Sequence, residues 1–419
     1  MSAPPKPLSL PQLGAVVAGN ALEFYDFLTF SFFAVQIGAV FFPGKDTTSS
    51  LLLTLATFGV GFATRPLGGV MIGTLGDTWG RKPAMLFSFG LMGFSVVGLA
   101  LTPSYASIGW YAPLLAVLFR LLQGFALGGE VGPTTAFLLE VAPPARRGLY
   151  VSLQNATQYF ATLCAGLVGL VLANLLSPDA LTQWGWRIAL LIGAAVVPFA
   201  LIIRRRLPET LHETHARPGK RKGPMGGLMW LAILGLCMLA SATIGTYTMN
   251  YMTTFANRTL GFPPAWAFTA TIASGSCAMM GALAGGFLGD RWGRKPVMIG
   301  ASLALLALAL PCFAAMVHFH SMFALLAGTG VMAVFVGLSA AAIVANLAES
   351  LPVNLRAGSL GIIYALAISA FGGTAQFMVT WLIDVTGSPL APAWYLSGAL
   401  LLGLGAMLAM PESAPVRKR

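Results

Sequence analysis

Long apolar stretches, separated by short polar segments, follow one another along most of the chain. A helix of about 18 or more apolar residues is long enough to cross the ~30 Å hydrocarbon layer of a bilayer. Backbone groups find no water in that layer, so these stretches predict helices, which satisfy their own hydrogen bonds. We therefore predict an all-α membrane protein with twelve transmembrane helices, at residues 12–41, 52–75, 84–103, 110–140, 148–177, 186–205, 227–256, 263–288, 297–317, 321–349, 357–385 and 391–410.

A polar, basic segment near the middle of the chain divides these predicted helices into two sets of six. It begins at Arg204 and is the longest stretch rich in charged residues, proline and glycine. Duplicated bundles of this kind place a substrate site near the bilayer midplane, between the two halves. We predict one bundle at residues 1–203, a cytoplasmic linker at residues 204–226 and a second bundle at residues 227–419.

A short segment after the second predicted helix recurs at the matching place in the second half. Its sequence is GDTWGRKP at Gly76–Pro83 and GDRWGRKP at Gly289–Pro296. The glycines permit a tight reversal between helices, and the aspartate can accept hydrogen bonds from a helix N-terminus. A single copy would be explained as a tight turn that carries topology charges. Two copies at matched positions indicate that the halves are related.

The composition fits a lipid environment. Only 9% of the residues are charged and 57% are hydrophobic, with a mean hydropathy of +0.80, whereas a soluble domain has roughly a quarter charged residues. The net charge of +11 could suggest a nucleic-acid binder, but a cytoplasmic N-terminus would place 19 of the 24 basic residues on the cytoplasmic side. By the positive-inside rule, we predict that both termini are cytoplasmic and that no nucleic acid binds.

The sequence gives no indication of a leader, a metal, a cofactor or a catalytic centre. The first apolar stretch contains Glu23 and Asp26 and lacks the basic start and cleavage site of a signal peptide, so we expect it to remain in the chain. No nucleophile with an oriented base is evident, and we predict no enzyme activity. The cysteines lie in apolar stretches without metal or disulfide spacing and are interpreted as packing residues: Cys164, Cys237, Cys277 and Cys312.

Two carboxylates in the first predicted helix are candidates for proton coupling. An ionisable side chain in a membrane span costs at least ~2.5 to 3.5 kcal/mol, so each one suggests a function. Glu23 and Asp26 are three residues apart and lie about 60° apart on one helix face. Two carboxylates that close cannot both ionise cheaply, so one should hold a proton. The alternative is a permanent, purely structural pair with an arginine.

Two arginines in the first half are candidates for binding an anion. Arg65 and Arg120 lie within predicted helices. A guanidinium is always charged and donates two parallel hydrogen bonds to a carboxylate. Gln123 and Glu130 follow Arg120 on one stripe about 80° wide, so we include Gln123 in the substrate site and Glu130 among the proton carriers. The anionic partner is either a substrate carboxylate or an internal carboxylate, and both remain open.

Neutral polar residues in both halves complete the predicted substrate site. They offer hydrogen-bond donors and acceptors that suit carboxylate and hydroxyl groups. Polar contacts that hold helices together are the competing explanation. The second half has charges only at the ends of its helices, so it would contribute neutral groups. The residues are Gln154, Asn155 and Gln158 in the first half and Tyr247, Asn250 and Tyr364 in the second.

The sequence resembles the major facilitator superfamily, and within it the metabolite:proton symporter family. The repeated GD-x-WGRKP segments resemble the superfamily's conformational latch, which implies a cytoplasmic gate formed by Asp77, Arg81, Asp290 and Arg294. The similarity to the symporter family covers nearly the whole chain and is carried by Gly19–Phe27, Arg65–Gly68, Arg120–Glu130, Trp184–Ile188 and Pro208–Thr210.

Two further segments are most similar to the citrate and tricarballylate carriers, QNATQ at Gln154–Gln158 and YMTTF at Tyr251–Phe255. The resemblance implies proton-coupled import of a di- or tricarboxylate by alternating access, by a monomer in the bacterial inner membrane. A trianion entering alone against ~100 mV would face roughly 7 kcal/mol, which favours cotransport of cations. The alternatives are 2-oxoglutarate, shikimate, proline or betaine as the substrate, or sodium as the coupling ion.

Overall fold

The computed structural model describes residues 10–44, 46–79, 81–128, 131–205, 225–352 and 356–414, and every regular element in these ranges is helical. This confirms the all-α prediction for the described residues. Short 3₁₀ or π-helical turns at Pro144–Arg146, Leu181–Gly185, Phe255–Thr259 and Ile368–Gly372 adjoin the α-helices. The α-helices are α1 Leu10–Phe32, α2 Ala34–Phe41, α3 Thr47–Ala63, α4 Arg65–Trp79, α5 Arg81–Leu101, α6 Tyr105–Ile108, α7 Tyr111–Leu127, α8 Val131–Val141, α9 Arg147–Leu175, α10 Pro178–Ala180, α11 Trp186–Arg205, α12 Met225–Asn250, α13 Met252–Thr254, α14 Pro264–Trp292, α15 Arg294–Phe319, α16 Met322–Ser350, α17 Arg356–Ala367, α18 Gly373–Thr386 and α19 Ala391–Ala409.

Within the described residues, eight helical segments are long and apolar enough to cross a membrane. A ninth is formed if α1 and α2, which are bent by 65°, count as one span. Two further apolar helices, Leu86–Leu101 and Tyr111–Leu127, are shorter. The total of twelve therefore stays a prediction. The eight segments are Thr47–Ile72, Pro144–Leu175, Gly227–Thr259, Pro264–Trp292, Arg294–Phe319, Met322–Ser350, Gly358–Thr386 and Ala391–Ala409.

The first predicted helix, at residues 12–41, is wrong as a continuous element because the chain bends at Phe33. Phe33 has φ −99° and ψ 20°, outside the α-helical region. Its ring packs on Phe268 of α14 at 4.8 Å, and Phe41 beyond the bend packs on Trp186 at 5.2 Å. No glycine or proline lies at the bend, so tertiary packing of aromatic rings accounts for it.

The second predicted helix breaks at Thr64, and Pro66 supplies the reason. Proline has no backbone N–H and its ring displaces the carbonyl four residues earlier, which here belongs to Phe62. That carbonyl accepts a hydrogen bond from the Ser369 hydroxyl at 2.8 Å instead. Thr64 in turn donates its hydroxyl to the Leu121 carbonyl at 2.6 Å. The break is therefore stabilised by two neighbouring elements.

Glycines allow these helices to pack backbone against backbone. A Cβ placed on Gly124 of α7 would lie 1.5 Å from the Gly61 carbonyl oxygen of α3, and one on Gly128 would lie 2.0 Å from the Arg65 carbonyl oxygen. A side chain at either position would force the helices apart. This close packing holds the start of α4, with Arg65, beside α7, with Arg120.

Helices from before and after residues 206–224 also pack closely together. A Cβ on Gly275 of α14 would lie 2.5 Å from the Leu163 backbone nitrogen of α9. A Cβ on Gly59 of α3 would lie 2.3 Å from the Gly373 carbonyl oxygen at the start of α18.

Candidate substrate and proton site

A cavity of about 50 Å³ lies between helices that precede and follow residues 206–224. Helices α1 and α9 form one side, and α12, α16 and α17 form most of the other. Five of the nine residues predicted to bind substrate line it. The lining residues are Phe24, Leu28, Asn155, Gln158, Tyr159, Thr162, Leu239, Ala242, Thr243, Thr246, Tyr247, Asn250, Ala340, Val344, Tyr364 and Ile368.

The polar part of the wall comes from one face of α9 and one face of α12. On α9 the residues are spaced by three, four and seven positions from Asn155, which is the period of one helix face. The same period on α12 leads from Thr243 to Tyr247 and Asn250. Extending this period from Asn155 would have found Tyr159, which the sequence prediction missed. Its hydroxyl lies 3.2 Å from the Thr246 hydroxyl and joins α9 to α12.

Arg65 lies close to the cavity but is held mainly by aromatic rings. Its guanidinium carbon is 4.4 Å from the centre of the Phe27 ring and 4.3 Å from that of Phe62. The Nε and Nη2 atoms are buried and find no hydrogen-bond partner among the described residues. The Tyr247 and Tyr364 hydroxyls of the cavity lie within electrostatic range of the Arg65 guanidinium, as does Glu23 of α1. The arrangement leaves donors available to an anion.

Arg120 is fully buried and does not line the cavity. Its guanidinium donates to the Phe27 carbonyl at 3.3 Å, to the Phe58 carbonyl at 3.4 Å and to Gln123 Oε1 at 2.6 Å. The centres of the Phe27, Phe30 and Phe58 rings lie 4.0, 4.7 and 4.9 Å from the guanidinium carbon. These rings cover part of the guanidinium, while Tyr247 of the cavity wall lies within electrostatic range of it. Its contact with substrate stays a prediction.

Two other predicted site residues contact neighbouring helices instead of the cavity. Gln123 accepts the Arg120 hydrogen bond. Gln154 accepts a short hydrogen bond from the Thr135 hydroxyl on α8, and its backbone carbonyl accepts one from Asn20 on α1 at 3.1 Å. These contacts match the competing explanation, polar contacts between helices.

The two carboxylates of α1 are both buried but have different surroundings. Glu23 lies within electrostatic range of Arg65. Asp26 is 1% exposed, and its Oδ1 atom has no hydrogen-bond partner among the described residues. That oxygen packs against α11, where a Cβ on Gly193 would lie 1.7 Å from it. Glu130, the third predicted proton carrier, lies outside the described residues.

The second copy of the repeated segment connects two helices from different halves. Asp290, at the end of α14, accepts hydrogen bonds from the Gly148 and Leu149 backbone N–H groups, each at 2.9 Å. These groups begin α9, where a carboxylate also complements the helix dipole. Arg294 bridges Asp290 at 2.7 Å and Glu349 at 3.2 Å. The first-copy side chains, of Asp77 and Arg81, lie outside the part of the chain whose side chains are described.

The end of the chain adds a carboxylate that the sequence prediction missed. Glu412 accepts hydrogen bonds from the backbone N–H groups of Arg294 and Lys295, at 2.9 and 3.0 Å. Ser413 donates its hydroxyl to Glu349 at 2.7 Å. The signal was present in the sequence, because Pro411–Ser413 repeats the Pro-Glu-Ser/Thr pattern of Pro208–Thr210 near the end of the first half.

Comparison with known proteins places these features in a family. Residues 12–223 and 241–415 match the model of the sugar (and other) transporter family. The citrate-proton symporter of Klebsiella pneumoniae is 34% identical over 394 residues, which is 93% of this chain and 89% of the symporter. The alpha-ketoglutarate permease of Escherichia coli is 33% identical over 387 residues, 91% of this chain and 88% of the permease.

The fold agrees with these matches. The crystal structure of a D-xylose-proton symporter superposes with a TM-score of 0.76 at 18% sequence identity, over 96% of this chain and 97% of that one. The matches confirm the prediction of a multi-pass membrane transporter rather than an enzyme. The chain belongs to the sugar (and other) transporter family.

Proposed function

We propose that this transporter imports a di- or tricarboxylate, similar to citrate or tricarballylate, by proton symport through alternating access. The observation that carries the proposal is Arg65, whose buried Nε and Nη2 donors have no partner among the described residues, beside a cavity lined by amides and hydroxyls. Unsatisfied guanidinium donors in a buried site favour an anionic ligand with carboxylate geometry. The similarity to a citrate-proton symporter supports the same substrate class.

In this proposal, Arg65 binds a substrate carboxylate while the neutral polar residues of the cavity bind the rest of the molecule. Those residues are Asn155, Gln158, Tyr247, Asn250 and Tyr364. Arg120 and Gln123 belong to the site indirectly, because Arg120 stacks on the Phe27 ring that also contacts Arg65. Gln154 holds α9 to its neighbours.

Proton coupling in this proposal depends on the carboxylates of α1. Glu23 lies near Arg65, so a proton on Glu23 removes a negative charge that competes with the substrate for the guanidinium. Protonation and substrate binding then favour each other, as symport requires. Asp26 and Glu130 are the further proposed proton carriers.

Transport requires the cavity to open alternately to the two sides of the membrane. We propose that the Asp290 contact with the start of α9 is one gate contact, and that Asp77 and Arg81 form its counterpart. The same proposal includes twelve spans in two six-helix bundles, a linker at 204–226, cytoplasmic termini and a functional monomer. The spans, bundles, linker and termini follow from the sequence pattern, and the monomer follows from the family resemblance.

The second candidate is symport of another carboxylate-bearing metabolite. The similarity to an alpha-ketoglutarate permease favours 2-oxoglutarate, and the sequence resemblance extends to carriers of shikimate, proline and betaine. All these molecules carry a carboxylate, so Arg65 would have the same role. Sodium coupling is the corresponding alternative for the ion.

A substrate panel distinguishes these candidates. The purified protein in detergent is heated with citrate, tricarballylate, 2-oxoglutarate, shikimate, proline or betaine, because a ligand that binds the folded state raises the Tm. At about 100 times its Kd, a ligand contributes ~2.7 kcal/mol. We expect citrate or tricarballylate to give the largest increase. A shift with proline or betaine alone would contradict the proposed substrate class.

A further inference from the structure

We propose that a single cation, Arg65, serves the substrate in this cavity. The cavity then binds a substrate that has one ionised carboxylate and whose remaining carboxyl groups are uncharged. This inference rests on the proposed function and specifies the charge state of the bound substrate. Protons would then enter partly on the substrate itself.

The first observation is that the cavity wall, as far as the described residues form it, carries no formal charge. Every lining residue is apolar, an amide, a hydroxyl or a phenol. The polar groups that face each other across the cavity include Asn155 and Gln158 on α9 and Asn250 on α12. A carboxylate buried against such a wall keeps a full charge with no opposite charge beside it, which is costly in a low dielectric.

The second observation is that the two buried arginines differ in their access to the cavity. Arg65 has two donor atoms, Nε and Nη2, without partners among the described residues, and it lies within electrostatic range of both Tyr247 and Tyr364, which line the cavity. Arg120 lies within range of Tyr247 alone of these two. It donates to two backbone carbonyls and Gln123, which leaves Nε as its one buried donor atom without a partner among the described residues. One guanidinium is therefore placed to compensate one carboxylate.

The chemistry of the amides fits the rest of the substrate. A protonated carboxyl group donates one O–H and accepts through its carbonyl, and a side-chain amide donates N–H and accepts through its own carbonyl. The two groups are complementary in pairs. An ionised carboxylate only accepts, so it leaves the amide carbonyl without a donor. An amide in place of a substrate carboxyl group makes the same hydrogen bonds, because it also both donates and accepts.

The test compares matched ligands on the purified, full-length protein by calorimetry. The pairs are tricarballylate with its monoamide, and 2-oxoglutarate with 2-oxoglutaramate. At pH 7.5 we expect each monoamide to bind within about threefold of its parent or more tightly. Between pH 7.5 and pH 5.5 the affinity of the parent should rise relative to that of the monoamide.

The titration of the protein's own groups affects both ligands of a pair, so it cancels when their affinities are compared. The titratable and charged groups around the cavity are Tyr159, Tyr247 and Tyr364 in its wall, Glu23 and Arg65 beside it, and Arg120 within electrostatic range of Tyr247. Both ligands of a pair encounter all of them. If a parent binds but its monoamide binds at least tenfold more weakly at both pH values, the one-cation proposal is overturned while the proposed function stands. If no carboxylate binds, the proposed function is overturned, and this inference with it.

A variant that adds a cation gives an independent measurement. Gln158→Lys should shift the preference toward the parent, raising its affinity relative to the monoamide at least tenfold. Gln158→Met removes the same amide without adding charge and should leave that ratio within about threefold of the native value. An unchanged ratio in a folded Gln158→Lys protein would contradict a wall that lacks cations.

Discussion

At the scale of single residues, the site depends on how two guanidinium groups are kept in a largely apolar interior. Arg65 and Arg120 both stack on Phe27, at 4.4 and 4.0 Å, and desolvated cation–π contacts of this kind contribute about 2 kcal/mol or more each. Arg120 also satisfies two backbone carbonyls. Arg120 therefore fixes the ring against which Arg65 lies.

We expect Arg120→Lys to raise the half-saturation constant for the transported carboxylate about tenfold. Lysine keeps the charge but loses the planar fork that reaches two carbonyls and Gln123 at once, so Phe27 and Arg65 lose their support. Hydrogen bonds to charged groups are worth about 1.5 to 3 kcal/mol each, which is enough for this change. Uptake kinetics of the variant in proteoliposomes measure the effect.

Phe27→Leu should give a similar increase, because it removes the shared ring and keeps both arginines. Native thermal stability of each variant serves as the folding control. A normal half-saturation constant in a well-folded Arg120→Lys protein would show that Arg120 does not contribute to substrate binding.

At the scale of elements, hydropathy predicted where helices lie better than where they break. The predicted helix at 297–317 corresponds to α15, and that at 391–410 to α19, with ends within a few residues. The bend at Phe33 could not be predicted, since it depends on rings from distant helices. The break at Thr64 could have been predicted, because Pro66 removes a helical donor.

Helix α9 gives a prediction at this scale, because Asp290 of another helix caps its N-terminus. Asp290→Asn loses the charge that accepts two backbone N–H groups and pairs with Arg294. We expect this end of the α9–α14 interface to open more often, and the maximal uptake rate to change more than the half-saturation constant. A cysteine introduced by Ser152→Cys, a buried position on α9, should then react severalfold faster with a water-soluble maleimide.

Asp384→Asn is the matched control, because Asp384 is exposed on α18 and the same charge is removed there. It should leave the alkylation rate at position 152 unchanged. An equal rate in the Asp290→Asn protein and the control would show that the Asp290 contact does not hold these helices together.

At the scale of the whole molecule, the sequence predicted the family and part of the site. Neutral polar side chains within apolar helices are visible in the sequence, which is why Asn155, Gln158 and Asn250 were predicted. The sequence does not show what packs against a side chain, so Arg120 was expected at the substrate and instead packs against aromatic rings. That information depends on contacts between distant helices and becomes available only with the fold.

The symmetry of the two halves and the asymmetry of their charges are consistent with this account. The repeated GD-x-WGRKP segment occurs in both halves, whereas the charged residues near the cavity, Glu23 and Arg65, belong to the first half. The second half supplies neutral groups from α12 and α17. In the proposed mechanism the first half therefore holds the charge of the substrate and the proton, and the second half closes over them.

The central claim, proton-coupled carboxylate import, is tested most directly by uptake of labelled citrate into proteoliposomes under an imposed pH gradient, acidic outside. We predict accumulation above the external concentration, without sodium, that a protonophore abolishes. Tricarballylate and 2-oxoglutarate are measured in the same way. No gradient-driven accumulation of any carboxylate, or accumulation only with a sodium gradient, would contradict the account.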